Sequence, residues 1–151
     1  MSEAYTSLGT ELAVSTSAPA TYDKAGYEAL TFTDVGEITS VGEFGPTAAV
    51  VTHDPLALGY TVKRKGQINY GSLTLQMARD ITDAGQVILK AGADGATKYT
   101  VHTWRVTHQS GLVQYFTGMV FGYTTNVGGS NQIVGASTTI ELDRPILDVA
   151  P

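Results

Sequence analysis

Residues 112–142 read LVQYFTGMVFGYTTNVGGSNQIVGASTTIEL, and the fold class is decided there. Val113, Tyr115, Met119, Phe121 and Tyr123 fall on one face of a strand near 112–124. Val134, Ala136, Ile140 and Leu142 alternate with Gly135, Ser137, Thr139 and Glu141 in a second strand near 132–142. Successive side chains of a strand point to opposite faces. Such alternation therefore places one face of each strand on a core and leaves the other to solvent or a neighbour.

Working back toward the N-terminus, His108-Gln109-Ser110-Gly111 has turn chemistry and separates this region from a strand near 97–107. A helix over about 81–91 precedes it. Asp80 is its expected N-cap, Asp83 sits at the third position near the positive end of the dipole, and Gly92 is the stop. Ile81, Ala84, Ile88 and Ala91 form its apolar stripe. Residues 60–77 read as strand, with Leu73, Leu75 and Met77 opposed to Ser72, Thr74 and Gln76.

From 45 to 58 the pattern breaks. Pro46, Pro55 and Gly59 punctuate a stretch without sustained periodicity, which implies a long connection, about 45–66 with its flanks. Long structureless connections in compact domains are usually functional or disordered. Phe44, Val50, Val51, Leu56, Leu58 and Tyr60 make this one too apolar for a disordered linker, so it should pack against something. Residues 31–44 read as a bent strand with Gly36 and Gly42 inside, placing Glu37, Thr39, Val41 and Glu43 on one face. A short strand at 11–15 and a brief helix at 23–30 capped by Asp23 complete the pass. The sum is a single mostly β (α+β) domain over 1–151: an antiparallel two-sheet sandwich or open barrel with one flanking helix and a long inter-strand loop.

Composition agrees. The chain has 151 residues, enough for one core. It contains 21 Thr, 14 Val and 7 Ile, β-branched types suited to a pleated, half-buried surface. Charged residues make up only 15%, against roughly 25% in an average soluble domain, so Thr, Ser and Gly must supply much of the polar surface. With no Cys, disulfides, thiolate zinc sites and cysteine nucleophiles are excluded. No stretch approaches the roughly 20 apolar residues of a membrane helix, and the N-terminus has no signal-peptide pattern. These features imply a soluble protein made in the cytoplasm.

The formal net charge of −5 argues against a nucleic-acid clamp, which gains affinity by neutralising phosphates. Residues 1–62 hold eight acids and one base, a net of −7, whereas eight bases and six acids follow, a net of +2. Opposite potentials of this kind can steer copies of a chain together. Lys63-Arg64-Lys65 is the one basic run, read as a solvated or interface face.

Motifs of chemistry are missing. There is no Gly-x-Ser-x-Gly, no phosphate-cradling loop, no Gly-x-Gly-x-x-Gly and no His-Glu-x-x-His. His53 lies beside Asp54 in the long connection, and His102 and His108 flank a strand end without a clear third metal ligand. No metal, cofactor or catalytic residue is assigned. Trp104 and the eight Tyr could form a sugar platform but fit core and interface positions better.

The order of segments is more informative than any motif. Gly36-Glu37-Ile38-Thr39 leads to Val41-Gly42-Glu43-Phe44-Gly45, then to Val51-Thr52-His53-Asp54-Pro55 and Tyr70-Gly71-Ser72-Leu73-Thr74-Leu75. Arg79-Asp80 with Asp83-Ala84-Gly85-Gln86 follows, then Tyr115-Phe116-Thr117-Gly118 running to Tyr123-Thr124-Thr125-Asn126-Val127-Gly128. Over about residues 10–142 this resembles the tail tube (major tail) proteins of long-tailed bacteriophages with non-contractile tails. The resemblance implies a non-enzymatic virion protein that forms hexameric rings, stacked into a tube around a lumen through which DNA is ejected without specific binding. Its implied partners are copies of itself and the tail tip or initiator, tape measure and terminator proteins, with no membrane. The long connection lies where that family has its stacking loop, so Phe44, Val50, Val51, His53, Asp54, Leu56, Lys63, Arg64 and Lys65 are expected at the ring-stacking interface. Glu37 and Glu43 are expected to face the lumen. Two alternatives stay open: the inner tube of a contractile tail or secretion system, and a monomeric carbohydrate-binding β-sandwich. A small hydrolase ranks below both.

Overall fold

The computed structural model describes residues 4–151. In chain order it contains β1 (Glu11–Ser15), α1 (Lys24–Glu28), β2 (Thr33–Asp34), β3 (Ile38–Val41), β4 (Thr47–His53), β5 (Val62–Asn69) and β6 (Ser72–Ala78). There follow α2 (Ala84–Asp94), β7 (His102–Thr107), β8 (Val113–Asn126), β9 (Gly135–Leu142) and β10 (Leu147–Val149). The main sheet is antiparallel, in the order β2-β1-β7-β8-β9-β6-β3, and β4 and β5 pair only with each other.

β8 joins the two halves of the main sheet. Its first half pairs with β7, from Val113↔Thr107 to Gly118↔His102. Its second half pairs with β9, from Gly118↔Leu142 to Asn126↔Gly135. β10 adds to the first half through Leu147↔Tyr115 and Val149↔Val113. The crossover at Gly118 needs a residue without Cβ, since one built there would lie 2.3 Å from the Glu141 carbonyl oxygen.

The sheet rolls around one core. Leu12 and Val14 of β1 share a buried cluster with Leu73, Leu75 and Met77 of β6, Ala136, Ile140 and Leu142 of β9, and Trp104, Val106, Phe116 and Val120. Ile38, Val41 and Phe44 pack on the same cluster from the far end of the strand order, and the Phe44 ring lies 5.1 Å from that of Phe116. The result is the expected mostly β sandwich or open barrel, in which each fully buried aliphatic contributes about 1.5–3 kcal/mol. Trp104 is wholly buried, and its indole N–H donates to the Gly118 carbonyl at 3.1 Å.

Alternation is kept in β6 and β9 but interrupted in β8. A register shift between Val120 and Gly122 puts a bulge at Phe121. Phe116, Val120 and, past the bulge, Tyr123 then face the core, while Phe121 is exposed. The expected single face of Val113, Tyr115, Met119, Phe121 and Tyr123 is thereby split. Tyr115 serves the opposite side of the sheet, its ring stacked 5.2 Å from that of Tyr27 of α1 and tilted against that of Phe32 at 6.0 Å. A second bulge, between Ile38 and Ser40, turns Val41 to the core while Thr39 is exposed, so Glu37, Thr39, Val41 and Glu43 do not share a face either.

α2 starts three residues later than the sequence suggested. Both Asp80 and Asp83 can cap, but Asp83 is the N-cap, its side chain accepting from Gln86 N and from Gly36 N at 3.0 Å. Asp80 instead closes the preceding turn by accepting from Thr82 N and its hydroxyl. The buried face is Gly85, Gln86, Leu89 and Gly92, one position round from the expected stripe, and Ile81 is left 78% exposed. Gly92 lies within the helix against His102 and Val120, and Gly95 is the C-cap.

Gln86 settles that register. Its Nε2 donates to the Gly36 and Ala78 carbonyls at 3.1 and 2.9 Å, and its Oε1 accepts from Asp80 N and the Tyr123 hydroxyl, both at 2.9 Å. One buried amide thus ties the helix to three other segments. Gln86→Leu leaves those groups unpaired and should cost about 3 kcal/mol, read as a lower urea midpoint by circular dichroism with unchanged slope.

His102 is fully buried, its Nδ1 3.0 Å from the Thr100 carbonyl and its Nε2 without a partner among the described residues. Burial holds the imidazole below its usual value. The unfolded chain protonates near pH 6.5, whereas the folded chain stays neutral to lower pH. Stability is therefore insensitive to this group well above pH ~6.5 and falls as pH drops below it, by up to about 1.4 kcal/mol per unit until the folded form also protonates. His102→Gln should flatten the stability profile between pH 7.5 and 5.5, measured by urea unfolding.

Candidate functional site: a projecting hairpin

The stretch around 45–58, expected to lack regular structure, forms β4 and the tip of a hairpin, and the expected single strand over 60–77 is divided into β5 and β6. Gly71, at φ 80°, makes the break, its N–H donating to the Asn69 side chain at 2.8 Å. Period-two alternation marks a strand only when one face is buried, and here nearly every residue of both strands is exposed.

The register pairs Thr47 with Asn69, Val50 with Lys65, Val51 with Arg64, Thr52 with Lys63 and His53 with Val62, with a bulge between Ala48 and Val50. Directly paired residues share a face, so Val51 and Arg64 lie on one side of the arm and Val50, Lys63 and Lys65 on the other. Val50 is 67% exposed and Val51 53%. His53 and Asp54 are exposed where the strand gives way to the tip. At the tip Leu58 N donates to the Pro55 carbonyl, Gly59 takes φ 70°, and Leu56 is completely exposed beside exposed Leu58 and Tyr60. Phe44 differs from the other expected interface residues, being half-buried at the base of the arm against Phe116.

Glu37 and Glu43 bracket β3 and are both exposed. Glu37 has a positive φ of 61° and its carbonyl accepts from Ala78 N. Nearby, the outward face of β6 and β9 aligns Ser72 with Glu141, Thr74 with Thr139 and Gln76 with Ser137. These side chains oppose the buried Leu73, Leu75 and Ile140. The wall they form is hydroxyl-rich, has one acid and no base.

The histidines do not converge. His102 and His108 stand at opposite ends of β7, His108 Nε2 lies 2.7 Å from Gln114 Oε1, and His53 is out on the hairpin. Among the described residues no group of three or more His, Asp or Glu could hold a metal ion. Trp104, being buried, offers no face for a sugar.

No protein-family model matches the chain. No curated protein matches it either. Solved structures do. A chain in the cryo-EM structure of an extracellular contractile injection system, the PVC sheath/tube terminator in the extended state, superposes with a TM-score of 0.67 at 13% identity over 99% of both chains. A chain in the 6-fold symmetrised baseplate of the anti-feeding prophage gives 0.66 at 11% identity, covering 99% of this chain and 98% of that one. A chain in the tail of an empty GTA particle, refined with C6 symmetry, gives 0.63 at 14% identity, covering 92% and 96%. The chain thus has the fold of components of phage-like tails and contractile injection systems.

Because Thr47 and Asn69 are paired neighbours, replacing 47–69 with a short Gly-Ser turn closes a gap already closed and costs little chain entropy. The shortened protein should keep the circular dichroism of the main sheet and a cooperative thermal transition. Loss of that transition would mean that the hairpin belongs to the folding unit.

Proposed function

We propose that the chain is a tail tube subunit, a non-enzymatic structural protein that polymerises as stacked hexameric rings around a channel for DNA. The observation that carries this reading is the arm: a two-stranded element whose apolar side chains have nothing within the subunit to rest on. Exposed apolar surface on such an element marks an interaction site, and isolated two-stranded hairpins are marginal in water. Agreement in fold with chains from tails and injection systems, over nearly the whole length, supports the same reading.

In this assembly Val50, Val51, His53, Asp54, Leu56, Lys63, Arg64 and Lys65 form the ring-stacking surface, and Phe44 anchors its base to the core. Glu37 and Glu43 face the lumen. The Ser/Thr/Gln wall of β6 and β9 suits a channel that does not grip DNA, since phosphate binding depends on Lys and Arg. Further partners are the tail tip or initiator, tape measure and terminator proteins, and the place of action is the virion tail. A non-contractile phage tail is the first reading. The inner tube of a contractile system is the second, favoured by the match to a sheath/tube terminator structure of a contractile injection system.

Negative-stain microscopy of concentrated protein, alone and with an initiating tail-tip complex, should reveal rings or tubes with a central hole. The variant lacking 47–69 should give none. Intact protein that stays monomeric by ultracentrifugation under both conditions would refute the proposal.

A further inference from the structure

The body of the subunit has an apolar groove of about 320 Å³ between α2 and the second half of β8, lined among others by Arg79, Ile81, Val87, Lys90, Ala91 and Tyr123. Two of its aliphatic residues have no cover: Ile81 is 78% exposed and Val87 54%. Its charges are uneven. Lys90 is neutralised by Asp94 at 2.7 Å, whereas Arg79 has no carboxylate within salt-bridge reach among the described residues. The Arg79 guanidinium lies 5.3 Å from the Tyr123 ring centroid and donates to the Thr125 hydroxyl. Asp80 also lines the groove, its carboxylate Oδ1 accepting from Thr82 N and the Thr82 hydroxyl. One end of the groove is therefore a cation with spare donors, and the middle is bare hydrocarbon.

The hairpin tip has the complementary pattern. Asp54 is an exposed acid with no ion-pair partner among the described residues, and Leu56 follows two residues later with its whole side chain in solvent. Other clefts fit less well: the one beside Thr47, Ile68 and Asn69 is mainly polar and lies at the base of the arm itself.

Resting on the self-assembly reading above, we propose that the hairpin tip of one copy docks in the α2–β8 groove of a second copy, with Leu56 on Ile81 and Val87 and Asp54 paired to Arg79. Burying a leucine removes apolar surface from water on both partners. Pairing Asp54 with a guanidinium fixes which way the tip enters, because the reverse orientation sets the arm's Lys63 and Lys65 near Arg79. In a stack of rings this contact runs head to tail, the tip of each copy entering the groove of the next, and its repetition builds an extended assembly; reciprocal insertion of two tips would close a dimer and give a single cross-linked band in place of a ladder.

The test combines charge reversal with cross-linking. Asp54→Arg and Arg79→Asp should each raise the concentration needed for assembly by roughly tenfold or more, and the double variant should recover most of the loss. Leu56→Ser should weaken assembly to a similar degree. Circular dichroism checks that each variant folds. The chain has no cysteine, so a Leu56→Cys/Val87→Cys variant has only the two introduced thiols. Oxidised under assembling conditions, it should run as a covalent ladder on a non-reducing gel, whereas Leu56→Cys/Leu8→Cys should not, Leu8 being an exposed residue ahead of β1 that does not line the groove. If the intact protein builds tubes but both charge reversals assemble like it and no ladder forms, the docking site is wrong and the tube reading stands. If neither tubes nor a ladder appear under any condition, both fail.

Discussion

The organising constraint is a β-hairpin that buries neither of its faces. In a folded domain a strand is stabilised by side chains packed on at least one side, together with its hydrogen-bond ladder. β4 and β5 have the ladder alone, and their Val50, Val51 and Leu56 are left in water. The rest of the subunit is arranged so that this can persist. Phe44 secures the entry to the arm against Phe116, and Gly71 turns the chain directly back into β6, whose Leu73, Leu75 and Met77 are fully within the core.

Behind the arm, the core depends on β8. It is long enough to pair with β7 over one half and β9 over the other, and the bulge at Phe121 lets it change which side chains face inward. That adjustment puts the Tyr123 hydroxyl on Gln86 and leaves the groove between α2 and β8 lined by Tyr123 and Arg79. The packing that completes the core thereby shapes an unfilled surface feature. Shared fold alone does not assign a function; the proposed assignment rests on the uncovered arm, with the charge-poor wall of β6 and β9 in support.

Much of this was legible in the residues. Alternation within the strands read at 60–77 and 132–142 identified β6 and β9, and Leu73, Leu75, Met77, Ala136 and Ile140 are indeed buried. The flanking helix was recognisable from its acids and apolar residues, but two aspartates three residues apart both had capping chemistry. Only the tertiary bonds of Asp83 to Gly36 and of Gln86 to Ala78 distinguish them. The bulges at Phe121 and beside Ser40 shift the phase of a strand without changing its composition, so Tyr123 and Val41 were assigned faces by a count that stops holding there. The 45–58 half of the hairpin was recognisable as apolar and in need of a partner, but not as strand, because both faces of β4 are exposed in the subunit and leave no period-two burial pattern to read. The groove around Arg79 likewise has no signature in a linear reading, since its lining comes from α2, the turn before it and β8.

Amide hydrogen exchange of β4 and β5, compared between free subunit and assembled particles, tests the central claim most directly. Free, the hairpin amides should exchange far faster than those of β6, β8 and β9, since a two-stranded ladder without a packed face opens readily. In assemblies, protection across 47–69 should rise toward that of the main sheet while β6, β8 and β9 change little. Unchanged exchange in the hairpin on assembly would contradict the account and place the subunit contacts elsewhere.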